Sequence, residues 1–323
     1  MTVPSGHVLI TSASSKAPLV RAMQNAAQRI DRGIEIIAGD IDPEAPTRYI
    51  ADQFWQMPRA EVDGLPALLS GCAERGIRTI LPTRDGELAF WAAHRVTFAE
   101  RGVEVIVSET ESVALCLDKL AFAQFGISND LPVIPASDDL ETLSADRIVV
   151  KERFGAGSQG IGLDLDREAA IAHAQTLNTP IFQPYFSGPE ISIDAWINRD
   201  GTPLGLVLRW RDRVAGGESV ITTTFRDLAL EAEARRSLAE LALFGPVVMQ
   251  AVITETGTLA VIEVNARFGG ASTTSLAVGL DSFFWSLNSS LGRHQEPFEF
   301  RRAEHEVRQI RLPADILIHD PNL

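Results

Sequence analysis

The first third of the chain alternates short apolar runs with stretches of helical spacing, and this alternation restricts the fold more than any other feature. The apolar runs lie at residues 7–11, 34–41, 77–83 and 103–108, and the helix-like stretches lie at 16–30, 64–76 and 86–100. Strands separated by single helices predict a parallel, doubly wound sheet. Ligands of such sheets bind beyond the carboxyl ends of the strands, which here are residues 11–15, 40–42, 82–87 and 108.

The pattern changes near residue 113, and a chain of 323 residues is long enough for two or three packed units. We expect an α/β domain over residues 1–112, a small α+β lobe over 113–185, and a C-terminal lobe over 186–323. The small lobe begins with one helix, 112–125, that carries Asp118 and Lys119. The C-terminal lobe is predicted to hold mostly antiparallel strands and two helices. One helix spans 229–243, between a cap at Asp227 and a stop at Gly245.

Composition and charge exclude several classes of protein. The chain has 43 acidic and 29 basic residues, a formal net charge of −14, which disfavours nucleic acid or an anionic membrane as the main partner. No apolar run reaches membrane-spanning length, and residues 1–16 lack the pattern of a signal peptide. Two cysteines, Cys72 and Cys116, give neither a disulfide framework nor a metal-binding spacing. We expect a soluble, reduced, cytoplasmic protein whose cysteines are packing residues.

A glycine-rich loop in the middle of the chain matches the pattern G-x-G-x-x-G. It contains Gly155, Gly157, Ser158 and Gly160, and Lys151 precedes it at the end of a predicted strand. A dinucleotide-binding loop must open a helix, whereas residues 161–165 alternate like a strand. This context favours a flap between antiparallel strands whose backbone N–H groups close over a polyphosphate, with Lys151 as a phosphate partner. The alternative is a surface hairpin with a solvated lysine.

The first of two predicted hairpins turns at Asp200-Gly201. A two-residue loop there places Glu190 opposite Arg211 and gives one face two carboxylates and two arginines. That face is predicted to line a polar cleft, and the alternative is an ordinary solvent face with cross-strand ion pairs. The other face is apolar and buried, with Ile191, Ile193, Ala195 and Ile197 against Leu204, Leu206, Leu208 and Trp210.

The second hairpin has a weaker turn signal, Thr256-Gly257. A two-residue loop places Gln250 opposite Glu263, and Asn265 shares their face because it lies two residues beyond Glu263. A carboxylate among apolar neighbours is costly to bury without a partner, and a divalent cation would supply one. All-oxygen ligands favour Mg²⁺ or Mn²⁺ over zinc. The alternative is a hydrogen-bonded polar cluster without metal.

Arg267 follows at the end of this strand, ahead of a glycine pair and a helix that begins near Thr273, a setting typical of an anion site. The alternative is a simple turn with an exposed arginine. In this order, the motifs resemble those of the ATP-grasp superfamily, in the branch similar to the carbamoyl-phosphate synthetase large chain and the pyrrolysine-biosynthesis ligase. The resemblance covers nearly the whole chain and rests on the joint order of segments 40–42, 51–54, 81–87, 118–119, 151–160, 183–190 and 250–270. Two segments depart from the family pattern, Asp85-Gly86-Glu87 and residues 126–130.

The resemblance implies a fold, a nucleotide site and a metal site. The fold is an α/β pre-ATP-grasp domain with a Rossmann-like parallel sheet, followed by two α+β lobes that hold ATP between them. Mg²⁺, or Mn²⁺, would be held by Gln250, Glu263 and Asn265. The ATP-binding residues would be Lys119, Lys151, the flap residues Gly155, Gly157, Ser158 and Gly160, the hinge residues Gln183, Tyr185 and Phe186, and Glu190 and Arg211. The catalytic residues would be Arg267, Arg211 and Lys151.

The predicted reaction joins a carboxylate to an amine through an acyl phosphate, with small-molecule substrates and a homodimer as the expected state. Positions 209, 213, 218 and 226 are further candidates for the substrate side. Three alternatives stay open: an activator that makes an acyl or carbamoyl phosphate for a partner, a nucleotide-binding module without chemistry, and a nicotinamide-dependent oxidoreductase. The last would need a helix that begins at residues 155–160.

Overall fold

The computed structural model describes residues 6–291 and 298–317, so the outer limits of the first and last predicted domains lie outside the described residues. The N-terminal region forms a five-stranded sheet in which every strand pair is parallel, as predicted, and its strand order is β3-β2-β1-β4-β5. Its elements are β1 (His7–Ile10), α1 (Ala17–Ile30), β2 (Ile36–Asp40), β3 (Gln53–Gln56), α2 (Leu65–Glu74), β4 (Ile77–Leu81), α3 (Asp85–Ala99) and β5 (Glu104–Val105). Strand β3 had not been predicted.

Two helices, rather than the single one expected over 112–125, lead into the next sheet. They are α4 (Thr110–Leu117) and α5 (Lys119–Ser128). The chain breaks at Asp118, which has extended backbone angles and whose carboxylate accepts hydrogen bonds from the backbone N–H groups of Leu120 and Ala121, both at 3.1 Å. The capping tendency of aspartate therefore outweighs the helical propensity of its neighbours.

A small antiparallel sheet follows, with the strand order β7-β6-β8. Its elements are β6 (Ile148–Glu152), β7 (Gly162–Leu165), α6 (Arg167–Ala174) and β8 (Pro180–Pro184). The glycine-rich loop joins β6 to β7, so it connects antiparallel strands, as predicted, and does not open a helix. The nicotinamide-dependent alternative needs a helix that begins at this loop, and the loop leads into a strand instead.

A six-stranded sheet forms the C-terminal region, with the order β13-β12-β9-β10-β11-β14, and all its pairs are antiparallel. Its strands are β9 (Glu190–Ile197), β10 (Pro203–Ala215), β11 (Glu218–Phe225), β12 (Gly245–Ile253), β13 (Leu259–Asn265) and β14 (Arg308–Ile310). Three helices, rather than two, lie in the described part of this region: α7 (Leu228–Ala239), α8 (Thr273–Leu276) and α9 (Ser282–Ser290). Asp227 caps α7 as predicted, but the helix ends at Ala239, and Gly245 begins β12.

Both predicted hairpins have the expected register around the polar residues but a different turn. In the first, Asn198 N–H bonds to Thr202 O at 2.9 Å, so the loop has three residues and ends at Gly201 with φ +82°. An irregularity between Pro203 and Gly205 then restores the predicted pairing. It also carries Leu204 to the opposite face, against a cluster that contains Trp196 and Val207, which corrects its predicted place in the apolar face.

The second hairpin repeats this arrangement. Its loop has three residues, since Thr254 N–H bonds to Thr258 O at 2.9 Å, and it ends at Gly257 with φ +78°. A register shift next to Gln250 brings that residue opposite Glu263. In both hairpins the extra loop residue and the irregularity cancel, so the face of each polar side chain is as predicted.

The apolar faces pack as the alternation requires. The inner residues of β9 and β10 form one core with α7, and helix α9 packs with α1 over one face of the parallel sheet. Cys72 and Cys116 are free thiols, and burial raises the pKa of each to about 12.

None of the helices in the described ranges combines the length and apolar character needed to cross a bilayer.

Candidate functional site

One cleft of about 1050 Å³ lies where the three sheets meet. Its walls are the carboxyl ends of the parallel strands, the small sheet with its glycine loop, and the polar face of the large sheet. Every residue that the sequence assigned to ATP, metal or catalysis lines this cleft. The structure thus brings these residues together, while the role of each stays a prediction.

The glycine loop covers one side of the cleft. Gly157, Gly160 and also Ser158 have φ between +56° and +73°, which only a loop rich in glycine adopts readily. The Lys119 ammonium donates to the Gly155 carbonyl at 2.7 Å. Across the cleft, the backbone of Gly157 is so close to Gly217 that a Cβ at position 217 would lie 2.9 Å from its carbonyl carbon. Two loops from different sheets therefore meet over the cleft.

Lys151 projects from β6 into the cleft and is only 4% exposed. Its ammonium has no hydrogen bond or ion pair with the described residues. Burial lowers the pKa of Lys151 to about 8, while Glu263 and Glu190 act in the opposite direction. A buried cation without a close anionic partner is unfavourable, so this side chain fits an anion in the cleft.

The predicted hinge follows the small sheet. Gln183 lies within β8, is 3% exposed, and donates to the Ile134 carbonyl at 3.2 Å. Strand β8 ends at Pro184, so Tyr185 and Phe186 lie in the connection to the large sheet rather than in a strand. Phe186 packs against the cluster of Ile134, Val252 and Ala260.

The predicted metal residues form a hydrogen-bonded cluster on β12 and β13. The amide nitrogens of Gln250 and Asn265 donate to the same oxygen of Glu263, at 3.1 and 3.2 Å. The described residues contain no group of three His, Cys, Asp or Glu side chains that could hold a metal. A metal at this cluster would therefore use one carboxylate and two amides.

Arg211 is held within the protein. Its Nε donates to Glu190 at 3.1 Å, and its Nη2 donates to the Gly217 carbonyl at 3.0 Å. Burial lowers the pKa of Arg211, while the nearby Glu190 carboxylate acts in the opposite direction. Glu190 and Arg211, both predicted to bind ATP, thus contact each other across β9 and β10.

Arg267 pairs with Asp85 of the N-terminal region. Its Nε donates to Asp85 Oδ1 at 2.7 Å and its Nη2 donates to Oδ2, while a second Nη2 bond reaches Asn265 Oδ1 at 3.3 Å. No local pattern predicts this role of Asp85, whose segment, Asp85-Gly86-Glu87, is notable in the sequence only as a departure from the family pattern.

Two further clusters lie beside these residues. Arg209 and Asp194 form a buried pair, with Nε–Oδ2 at 2.7 Å, and Asp194 also accepts bonds from Ser272 and Ser275. Glu218 joins Lys16 of the N-terminal region, at 3.1 Å, to Arg311. Of the four substrate-side candidates, Arg209 and Glu218 line the cleft, whereas Arg213 and Arg226 do not.

Comparisons with known proteins agree with this architecture. A family model described as "PylC-like, N-terminal domain" matches residues 8–106, and one described as "ATP-grasp domain" matches residues 116–271. A search of curated proteins gave no significant match.

Several solved structures share the fold. The biotin carboxylase domain of Hydrogenobacter thermophilus 2-oxoglutarate carboxylase is 17% identical, with a TM-score of 0.75 over 94% of this chain and 73% of that one. The N5-carboxyaminoimidazole synthetase of Staphylococcus aureus is 17% identical, with a TM-score of 0.71 over 92% and 80% of the two chains. The L-amino acid ligase of Bacillus licheniformis is 17% identical, with a TM-score of 0.69 over 91% and 75%.

The order of the three sheets, the flap between antiparallel strands and the two family matches confirm the predicted fold. Residues 8–106 form a PylC-like N-terminal domain, and residues 116–271 belong to an ATP-grasp domain.

Proposed function

We propose that this protein is an ATP-dependent carboxylate–amine ligase that forms an amide or peptide bond through an acyl phosphate. The observation that carries the proposal is Lys151, a buried ammonium without an anionic contact in the described residues, in the same cleft as the Gln250–Glu263–Asn265 cluster. One side of the cleft is therefore suited to phosphate and the other to a divalent cation. Among the structures that share the fold, one is described as bound to MgADP and bicarbonate and another as an L-amino acid ligase.

The residues of the cluster fit Mg²⁺. Mg²⁺ prefers oxygen ligands, and Glu263 supplies a carboxylate, while Gln250 and Asn265 each carry an amide oxygen. When bound, the ion would neutralise charge on the phosphates. Mn²⁺ takes the same ligand types and is included in the proposal.

The reaction needs no protein nucleophile. A substrate carboxylate oxygen attacks the γ-phosphorus of ATP, the bond to ADP breaks, and an acyl phosphate forms. The amine nitrogen then attacks the acyl carbon, loses a proton, and displaces phosphate. The protein orients the reactants and stabilises the transferring charge, for which Lys151, Arg211 and Arg267 are the proposed cations.

The nucleotide assignments remain those of the family. Lys119 and the loop with Gly155, Gly157, Ser158 and Gly160 would cover the phosphates. Gln183, Tyr185 and Phe186 would bind the adenine, and Glu190 the ribose. We also propose the three-domain division, a cytoplasmic location and a homodimer.

The decisive experiment measures ADP and phosphate release from MgATP over a panel of acids, including bicarbonate, each with and without amines. We expect phosphate release that depends on both an acid and an amine, together with the amide product. Glu263→Ala should stop turnover while its circular-dichroism spectrum stays that of the parent. ATP consumption that no amine accelerates would instead indicate the acyl-phosphate activator, and nucleotide binding without consumption would indicate the non-catalytic module.

A further inference from the structure

The pair between Asp85 and Arg267 crosses from the N-terminal domain to the ATP-grasp domain. The two side chains meet through both carboxylate oxygens and two guanidinium nitrogens, and they are 12% and 18% exposed. Bidentate arginine–carboxylate pairs fix orientation as well as supplying attraction. The orientation of the arginine therefore depends on a residue outside its own domain.

Most N–H donors of Arg267 form hydrogen bonds within the protein. Its Nε–H and one Nη2–H group donate hydrogen bonds to Asp85, and the other Nη2–H group donates to Asn265. One Nη1–H group donates to the Phe268 carbonyl at 3.0 Å. A guanidinium has five N–H groups. Within the described part of the chain one Nη1 proton is thus left for a ligand, in a side chain that the other four hold in place.

Asp85 is itself held firmly. It lies in the first turn of α3, where a carboxylate is favoured by the helix dipole. Two residues later, Glu87 is 2% exposed and accepts bonds from the Thr11 hydroxyl at 2.7 Å and from the Thr83 backbone N–H at 3.2 Å. These bonds fasten the start of α3 to the ends of β1 and β4.

A continuous chain of hydrogen bonds extends from Asp85 to the predicted metal residues. Arg267 contacts Asn265, Asn265 contacts Glu263, and Glu263 contacts Gln250. A displacement of Arg267 would therefore change both the cation near the phosphates and the support of one metal residue. This is the kind of outer contact whose loss costs activity without removing a ligand.

We infer that Asp85 is a positioning residue: it holds Arg267 in the orientation in which its remaining N–H can meet the transferring phosphoryl or acyl group. The inference rests on the proposed function for the identity of that group. It predicts that the N-terminal domain contributes to catalysis through Arg267 in addition to any contact with substrate.

The test compares Asp85→Asn with Asp281→Asn. Asp281, the residue before α9, forms another arginine–aspartate pair with Arg29 of α1, at 2.7 Å, and it does not line the cleft. With the acid and amine that give the most ADP release, Asp85→Asn should lower kcat by about 10- to 100-fold. The KM for MgATP and the calorimetric Kd of MgADP should stay within about threefold. Asp85→Glu should recover part of kcat, and Asp281→Asn should leave it unchanged.

A double-mutant cycle separates positioning from a merely structural role. In an Arg267→Gln background, Asp85→Asn should cause no further loss of kcat, because its effect is exerted through the arginine. An equal loss in both backgrounds, or a kcat that matches Asp281→Asn, would overturn the inference and leave the ligase proposal standing. The same cycle on thermal unfolding without nucleotide should show coupling between positions 85 and 267. A parent that never consumes ATP would overturn the ligase proposal, and additive unfolding effects would overturn the positioning role independently.

Discussion

Lys151 of the small sheet and Arg209 of the large sheet are both buried cations in the same cleft, at 4% and 2% exposure. Arg209 is matched by Asp194, which is anchored in turn by two serine hydroxyls. Lys151 has no such contact within the described residues, and burial depresses its pKa to about 8. The large sheet thus supplies an anionic partner for its own cation, whereas the cation of the small sheet has none among the described residues.

We expect this difference to separate a residue that maintains the fold, Arg209, from one that binds a ligand, Lys151. A buried ion pair contributes little to stability as a unit, but removal of one partner leaves a costly charge. A buried cation without a partner already carries that cost, which anion binding can offset. Substitution should therefore affect activity at Lys151 and stability at Arg209.

The largest effect is expected for Lys151→Met. We expect turnover of MgATP to fall by about 100- to 1000-fold, because one preorganised cation is lost from the transferring group. The nucleotide-free protein should become more stable, by about 3 kcal/mol at most, since the shift from 10.5 to about 8 reflects the cost of the buried charge. Steady-state kinetics and urea unfolding measure the two effects. A less stable variant with normal turnover would contradict the comparison.

Raising the pH removes the positive charge of Lys151 without a substitution. The folded pKa of Lys151 lies below its unfolded value, so between about pH 8 and 10.5 the unfolded chain binds more protons. Lys151 therefore makes stability rise with pH across this window, while the affinity for MgATP should weaken above pH 8. Both dependences should be absent from Lys151→Met.

The next effect is on stability at the matched pair. Arg209→Met should lower the free energy of unfolding by about 3–5 kcal/mol, because Asp194 is left buried without its cation. Urea unfolding measures the loss. Asp194→Asn in the same chain should recover part of it, since no uncompensated charge then remains. A variant as stable as the parent would mean that the large sheet does not depend on this pair.

The hairpins show how far sequence patterns determine this site. Alternation along each strand placed Gln250, Glu263 and Asn265 on one face, although the loop lengths were wrong. Asp200-Gly201 and Thr256-Gly257 predict two-residue loops, but each glycine ends a three-residue loop, and an irregularity in the following strand restores the register. Burial of the apolar face fixes which side chains point inward, and the turn adapts to it.

Contacts between distant segments could not be predicted in the same way. Asp85 and Arg267 are 182 residues apart, and no periodicity links them. The same holds for the bridge from Lys16 through Glu218 to Arg311. These pairs depend on how the domains pack, so the sequence placed Arg267 in the site but not its partner. The parallel sheet was predictable because alternation is local, and β3 was missed because Gln53–Gln56 contains only two apolar residues.

A smaller effect is expected at Gly217, where the two sheets of the comparison touch. Gly217 adopts φ +77°, and a Cβ there would meet the backbone of Gly157 in the flap. Gly201 is a matched control, because its φ is +82° and a Cβ would meet nothing within 4 Å. Both alanine variants should lose about 1 kcal/mol of stability from the left-handed backbone.

Only Gly217→Ala should also hinder closure of the flap over the nucleotide. We expect its KM for MgATP to rise by up to about tenfold, the equivalent of 1.4 kcal/mol of binding free energy. Gly201→Ala should keep the KM of the parent, because its methyl group points into open space. Equal values of KM in the two variants would show that the contact between Gly217 and Gly157 is incidental. The flap would then close over the phosphates without this contact from the large sheet.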